Sequence, residues 1–146
     1  MRLLHIDDNE SDLAMVKEIL VGHEVVSSTS LEEAFEIIRQ GPLFDVLLLD
    51  LHMPGYTGAE AILHWRQEGC DRIPVVVLSG IASARTIASS CMSSGAPGNV
   101  FADKNKLTKD NYLLGRIQEA IAHQAERMKR GVSGIFPILD LAVGGG

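Results

Sequence analysis

The sequence predicts an α/β domain built on a doubly wound, five-stranded parallel sheet with helices on both faces. Three observations predict it. Val46-Leu47-Leu48-Leu49 is an apolar run bounded by Asp45 on one side and by Asp50 and Pro54-Gly55 on the other. Such a run is too short for a helix core and apolar at successive positions, as a strand buried on both faces is. Short apolar runs alternate with amphipathic helical stretches along the whole chain, as right-handed βα crossovers require. Four of the runs end on polar residues, namely Asp7-Asp8, Asp50, Ser79 and Lys104. In a doubly wound sheet those ends share one edge, beside the switch point where such sheets hold their chemistry.

Composition narrows the class. A chain of 146 residues fits one domain with a core that needs neither disulfides nor a structural metal. A net charge of −6 argues against direct nucleic-acid binding by this chain. Cys70 and Cys91 have no ligand-type spacing and read as reduced thiols. Arg2-Leu3-Leu4-His5-Ile6 runs straight into Asp7-Asp8, unlike a secretory leader. No apolar run approaches the roughly 18 residues of a membrane span. The expected location is the cytoplasm, with no membrane partner.

Arg2–Ile6 is the first strand. Residues 12–21 follow as a helix with Leu13, Val16, Ile19 and Leu20 on one face. Residues 23–28 form the second strand, centred on Val25 and Val26. Ser30 through Glu33 has the form of a capping box and opens a helix that aligns Leu31, Ala34, Ile37 and Ile38. The third strand ends at Asp50. Thr57 through Glu60 repeats the cap signature for a helix reaching about Glu68. Residues 73–78 are the fourth strand, with Pro74 tolerable only near its start. A helix rich in small residues begins at Ser83 or Ala84 and closes at Gly95. Residues 100–102 are a brief fifth strand. Thr108 then starts a last helix, with Leu113, Leu114, Ile117, Ile121 and Ala122 inward, running as far as Arg130.

The strand ends suggest a chemistry. Three carboxylates gathered in one crevice need a cation or a shared proton. Hard oxygen ligands suit Mg²⁺, which keeps several waters and pairs with one or two carboxylates and with phosphate oxygens. A carboxylate beside that ion can attack phosphorus and become an aspartyl phosphate. Lys104 and Ser79 are placed to offset the developing charge, as cation and hydroxyl donor. A helix N-cap accounts for one acid of the Asp7-Asp8 pair but hardly for both.

Asp7-Asp8, Asp50-Leu51-His52-Met53-Pro54-Gly55 with Gly58, Ser79-Gly80 and Lys104 together resemble the receiver domain of bacterial two-component response regulators. The resemblance covers about residues 1–125 and implies a flavodoxin-like (βα)5 fold with strand order 2-1-3-4-5, as in the chemotaxis-type receiver. It implies that Asp50 is the phosphoacceptor, served by a histidine kinase or a histidine phosphotransfer protein. Asp7, Asp8, Asp50 and the backbone carbonyl of His52 would hold Mg²⁺ or Mn²⁺. Ser79 would hydrogen-bond the phosphoryl group and Lys104 would pair with it. Ser79 and Phe101 would form the switch. The fourth helix, fifth strand and fifth helix, about Ser83 to Ala125, would be the output face. A homodimer through that face or through the tail is a further partner consistent with this picture. The domain would catalyse only its own phosphorylation and dephosphorylation, and is not otherwise an enzyme.

The sequence departs from the family pattern in places. Asn105 stands where the family has a proline after the lysine, and a cis bond there without proline would cost roughly 3 kcal/mol. Pro97-Gly98 look like a two-residue insertion before the fifth strand. Phe101 lacks the hydroxyl of a tyrosine switch, leaving packing alone to drive it. The Ser- and Ala-rich fourth helix has few large apolar anchors, which is compatible with a mobile output surface. His52 and Ile81 border the family's water path to the phosphoryl group. Bulk at both would prolong the phosphorylated state, and a solvated loop histidine is an equal alternative.

Other residues read more plainly. Trp65 is a packed or half-exposed helix residue, and Met15 and Met53 are packing residues. His5, His64 and His123 lack partners at ligand spacing and receive no metal. Arg127, Lys129 and Arg130 offset a helix dipole. Residues 1–130 form the expected domain, with an extended last helix. Residues 131–146 are an apolar, glycine-rich tail that folds back, binds a partner, or leads as a linker into an output domain outside this chain. A receiver-like scaffold that binds partners without phosphorylation is the alternative function, supported by Asn105 and the longer loop. An Asp-nucleophile phosphatase with His52 as general acid fits the spacing of Met53-Pro54-Gly55 and Lys104 less well.

Overall fold

The computed structural model describes residues 1–50, 73–80 and 100–129. They form one parallel sheet of five strands: β1 (Arg2–Ile6), β2 (Glu24–Ser28), β3 (Val46–Asp50), β4 (Val75–Ser79) and β5 (Val100–Asp103). The spatial order is β2-β1-β3-β4-β5, the order expected of the doubly wound sheet. Leu3 pairs with both Val25 and Val46, Leu47 with Val75, and Val77 with Phe101. That register aligns the C-terminal ends of β1, β3, β4 and β5 on one edge.

The helices divide between the faces. α1 (Glu10–Ile19) and the long helix α3 (Tyr112–Lys129) cover one face, and α2 (Leu31–Gln40) covers the other. The division follows from the period-2 alternation of strand side chains. Leu4, Ile6, Leu47, Leu49, Val75 and Val77 pack toward Leu31, Ala34 and Phe35 of α2. Leu3, Val46, Leu48, Val76, Leu78, Val100 and Ala102 pack toward Val16 and Leu20 and toward Leu113, Ile117 and Ala120. Every residue of β3 and β4 is buried, which is why both read as unbroken apolar runs rather than alternating ones.

Several boundaries differ from the sequence expectation for identifiable reasons. α1 begins at Glu10 rather than residue 12, because Asn9 is the N-cap and its side chain accepts from the N–H groups of Ser11 and Asp12. Ser30 caps α2 as expected, accepting from Glu33 N–H at 3.2 Å. Phe35 joins the inner face of α2 beside the anticipated Leu31 and Ala34. α3 starts at Tyr112, not Thr108. A 3₁₀ turn at Lys104–Lys106 and a left-handed Asn111 (φ 58) intervene, and the Asn111 carbonyl accepts the first helical N–H, from Gly115. Asparagine is among the residues that tolerate that conformation. On α3 the buried alanine is Ala120, and Ala122 is exposed.

The expectations for His52, Ile81, the helices at 57–68 and 83–95, the 97–98 insertion, Trp65 and the 131–146 tail lie outside the described residues.

Leu48 is fully buried between β1, β4 and the two helices of its face. Leu48→Ala is therefore expected to lower the unfolding free energy by about 2–5 kcal/mol, read by urea denaturation. Asn9→Ala should cost about 1 kcal/mol through the lost cap. A loss for Leu48→Ala no larger than that for Asn9→Ala would contradict this description of the core.

Candidate functional site: an acidic cluster at the strand ends

Asp7 follows β1 directly. Its N–H donates to the Ser28 carbonyl at 3.0 Å, so the β1–β2 ladder extends one residue past the strand and holds the Asp7 backbone. Its Oδ1 accepts from Asn9 N–H at 2.9 Å, which turns the chain into α1. Asp8 is exposed and lines an open depression with Asn9, Glu10, Ser11 and Thr29. Asp50 closes β3, the neighbour of β1, and is buried. Carboxylate oxygens of Asp7, Asp8 and Asp50 all lie within 4.8 Å of one another.

Lys104 answers that charge. It opens the 3₁₀ turn after β5, and its Nζ lies 2.8 Å from Asp12 Oδ2, 2.9 Å from Asp7 Oδ2 and 3.1 Å from Asp50 Oδ1. Its backbone is clamped on both sides. Asp103 N–H donates to the Tyr112 hydroxyl at 2.9 Å, and Asp103 Oδ1 accepts from Asn105 N–H at 2.9 Å. The Asn105 side-chain amide donates to the Gly80 carbonyl at 3.1 Å, tying the turn to the end of β4. Among the described residues the one cis peptide bond is Gly41–Pro42. Lys104 thus reaches the acids with a trans bond to Asn105.

These contacts set the protonation states. Burial pushes the Asp7 carboxyl upward. The His5 imidazole, the Asn9 N–H and the Lys104 ammonium pull it down further, from 3.8 to about 2. His5 Nε2 stands 3.7 Å from Asp7 Oδ2, beyond hydrogen-bond length, so the two 2.9 Å contacts are the firmer causes. For Lys104, burial disfavours the charge, but hydrogen bonds to Asp12 and Asp7 and the charges of Asp50 and Asp7 outweigh it. Its pKa rises above the usual lysine value.

Ser79 is the buried last residue of β4, one position beyond the register partner of Asp50 and opposite Asp103. Phe101 is half-buried and packs against the cluster on the α2 side of the sheet, away from the acids. Arg116 donates from Nε and Nη2 to the Phe101 carbonyl, at 2.9 and 2.7 Å. Two neighbours of the site escaped sequence reasoning. His5, fully buried, precedes Asp7 by two residues, and period 2 turns both toward one face. Asp12 lies four residues, about one helical turn, past Asp8. Both spacings were signals that could have been used.

The donor set fits a hard divalent cation: three carboxylates with oxygens within 4.8 Å of one another, two of them buried and that of Asp8 exposed. Residues 3–109 match the family model described as response regulator receiver domain. This chain belongs to that family. Receiver domains are signalling modules rather than classical catalytic enzymes. The chain is 31% identical over 101 residues to the sensory/regulatory protein RpfC of Xanthomonas campestris pv. campestris, covering 66% of this chain and 14% of that protein. It is 33% identical over 89 residues to the sensor histidine kinase GacS of Pseudomonas protegens, covering 57% of this chain and 10% of that one. It therefore spans only a small part of the length of these curated relatives. Among solved structures, the chemotaxis protein CheY4 of Vibrio cholerae superposes with a TM-score of 0.68 at 25% identity, over 82% of this chain and 97% of that one. Among the described residues, no helix is long and apolar enough to cross a membrane.

The lowered Asp7 pKa carries a sign. Its contribution to stability is complete above the ordinary carboxylate value of 3.8 and is lost as pH falls through about 2. In metal-free protein, the unfolding free energy should fall over that window, and Asp7→Asn should flatten the fall. Equal slopes for the two proteins would show that Lys104 and Asn9 do not hold the Asp7 charge.

Proposed function

We propose that this domain is a phosphorylation-controlled switch, in which Asp50 accepts a phosphoryl group from a histidine kinase or a histidine phosphotransfer protein. The observation that carries the reading is the meeting of Asp7, Asp8 and Asp50 within 4.8 Å, with the Lys104 ammonium on Asp7 and Asp50. Likeness to a sensor histidine kinase over the matched segment supports a kinase as donor. Asp7, Asp8, Asp50 and the His52 backbone carbonyl would hold Mg²⁺ or Mn²⁺. Bound there, the ion would draw charge from the phosphoryl oxygens and screen the acids from one another.

A carboxylate oxygen of Asp50 attacks phosphorus as the bond to the donor nitrogen breaks, and the donor keeps that electron pair. The Lys104 ammonium offsets charge on the transferring group, and the Ser79 hydroxyl donates to one of its oxygens. Signal output then passes through Ser79 and Phe101 to the face spanning about residues 83–125. Asn105 does not weaken this reading, since Lys104 meets Asp7 and Asp50 with asparagine in place. Residues 1–130 act as the receiver domain and 131–146 as a tail joining it to a partner or to an output domain. The domain works in the cytoplasm.

The test is intact-protein mass after incubation with acetyl phosphate and Mg²⁺. A gain of one phosphoryl group is expected, absent without Mg²⁺ and absent in Asp50→Asn. A gain that persists in Asp50→Asn would move the acceptor elsewhere, and none in the parent would reject the switch.

A further inference from the structure

The Lys104 ammonium has three protons, and three carboxylates stand within 3.1 Å of it. A phosphoryl oxygen arriving on Asp50 must therefore take a place that a carboxylate now holds. Asp7 and Asp50 belong to the three-acid cluster, but Asp12 does not. It makes the shortest of the three contacts, at 2.8 Å.

Asp12 is also the partner best able to let go. Its side chain is 24% exposed, against 0% for Asp7 and 5% for Asp50. It sits in the first turn of α1, where a released carboxylate stays favoured by the helix dipole and by water. Its backbone does not wander, because Asn9 Oδ1 accepts from Asp12 N–H at 3.1 Å and Asp7 Oδ1 fixes Asn9 in turn. The chain thus aims Asp12 at Lys104 from a rigid base.

We propose that Asp12 is a positioning residue that parks Lys104 beside the acid cluster until a phosphoryl group on Asp50 draws the ammonium away. The inference rests on the reading of Asp50 as phosphoacceptor and adds to it a control on rate. Two effects of opposite sign follow from the geometry. A divalent cation drawn to Asp7 and Asp50 competes with the Lys104 ammonium already on both carboxylates, and Asp12 offers the displaced ammonium a place to stay. Asp12 therefore favours cation binding. The same contact withholds Lys104 from the incoming phosphoryl group and adds a like charge near it, so Asp12 slows transfer.

The test compares the parent with Asp12→Asn, Asp12→Ser and Asp12→Glu, each checked for folding by thermal melting. Mg²⁺ affinity is measured by calorimetry, and the initial rate of phosphoryl gain from acetyl phosphate is measured at saturating Mg²⁺. For the two neutral variants, Mg²⁺ affinity should fall about threefold while the transfer rate rises about three- to tenfold, the scale of one partly screened charge contact. Asp12→Glu, which restores the charge, should return both values toward the parent. A merely structural residue would lower both quantities together, and that result, or no change in either, would overturn the inference while leaving Asp50 as acceptor. Absence of phosphoryl gain in the parent and in every variant would overturn both.

Discussion

Like charges forced together at adjacent strand ends are the constraint on which the rest of this structure depends. β1 and β3 are neighbours, so Asp7, one residue past β1, and Asp50, the last of β3, meet as a consequence of strand order. Water cannot screen them, since both are buried. An uncompensated buried carboxylate would take up a proton or destabilise the fold. A cation must come from elsewhere, and the chain supplies Lys104 from the turn after β5, the strand three places along the sheet from β1. Lysine suits the task. Its long stem crosses the gap, and its compact ammonium can exchange one oxygen partner for another, which a bidentate guanidinium does less readily.

The apolar strands make that arrangement affordable. β3 and β4 are buried along their whole length, between α2 on one face and α1 with α3 on the other. Their packing fixes the strand ends, and the strand ends fix the acids. Backbone bonds finish the alignment: Asp7 N–H extends the β1–β2 ladder, and Asn105 joins the Lys104 turn to Gly80. Edge protection belongs to the same scheme. β5 lies at the border of the sheet, where Arg116 covers the Phe101 carbonyl with two hydrogen bonds. A covered edge is less open to pairing with another chain.

Much of this was legible in the sequence. The apolar runs at Arg2–Ile6 and Val46–Asp50 marked their strands because burial on both faces leaves no other pattern. Asp50, Ser79 and the Asp103-Lys104 pair stand out because each ends an apolar run. What stayed hidden depended on local backbone geometry or on contacts distant in sequence. Asn9 is not evident as a cap from sequence because the first apolar residue of α1, Leu13, comes four positions later. The turn before α3 was hidden because Asn111 adopts a left-handed conformation inside a stretch whose composition suits a helix. In the sequence Asp12 stands only as the start of a helical stretch. Its meeting with Lys104, 92 residues away, follows only from the fold, which brings the first turn of α1 to the turn after β5.

Lys104 combines a fixed backbone with a side chain that has a choice of partners. Asp103 and Asn105, on either side of it, are held by Tyr112 and Gly80, so the turn itself resists displacement. Change at the site must then come mainly from rotation of the lysine stem among its carboxylates, and from whatever the end of β4 does through the Asn105 bond. That bond makes the two motions dependent on each other. A shift of Ser79-Gly80 pulls on Asn105, and through it on the residue that carries the ammonium. The asparagine thus acts as a hydrogen-bonded tether between the end of β4 and the turn that carries the ammonium.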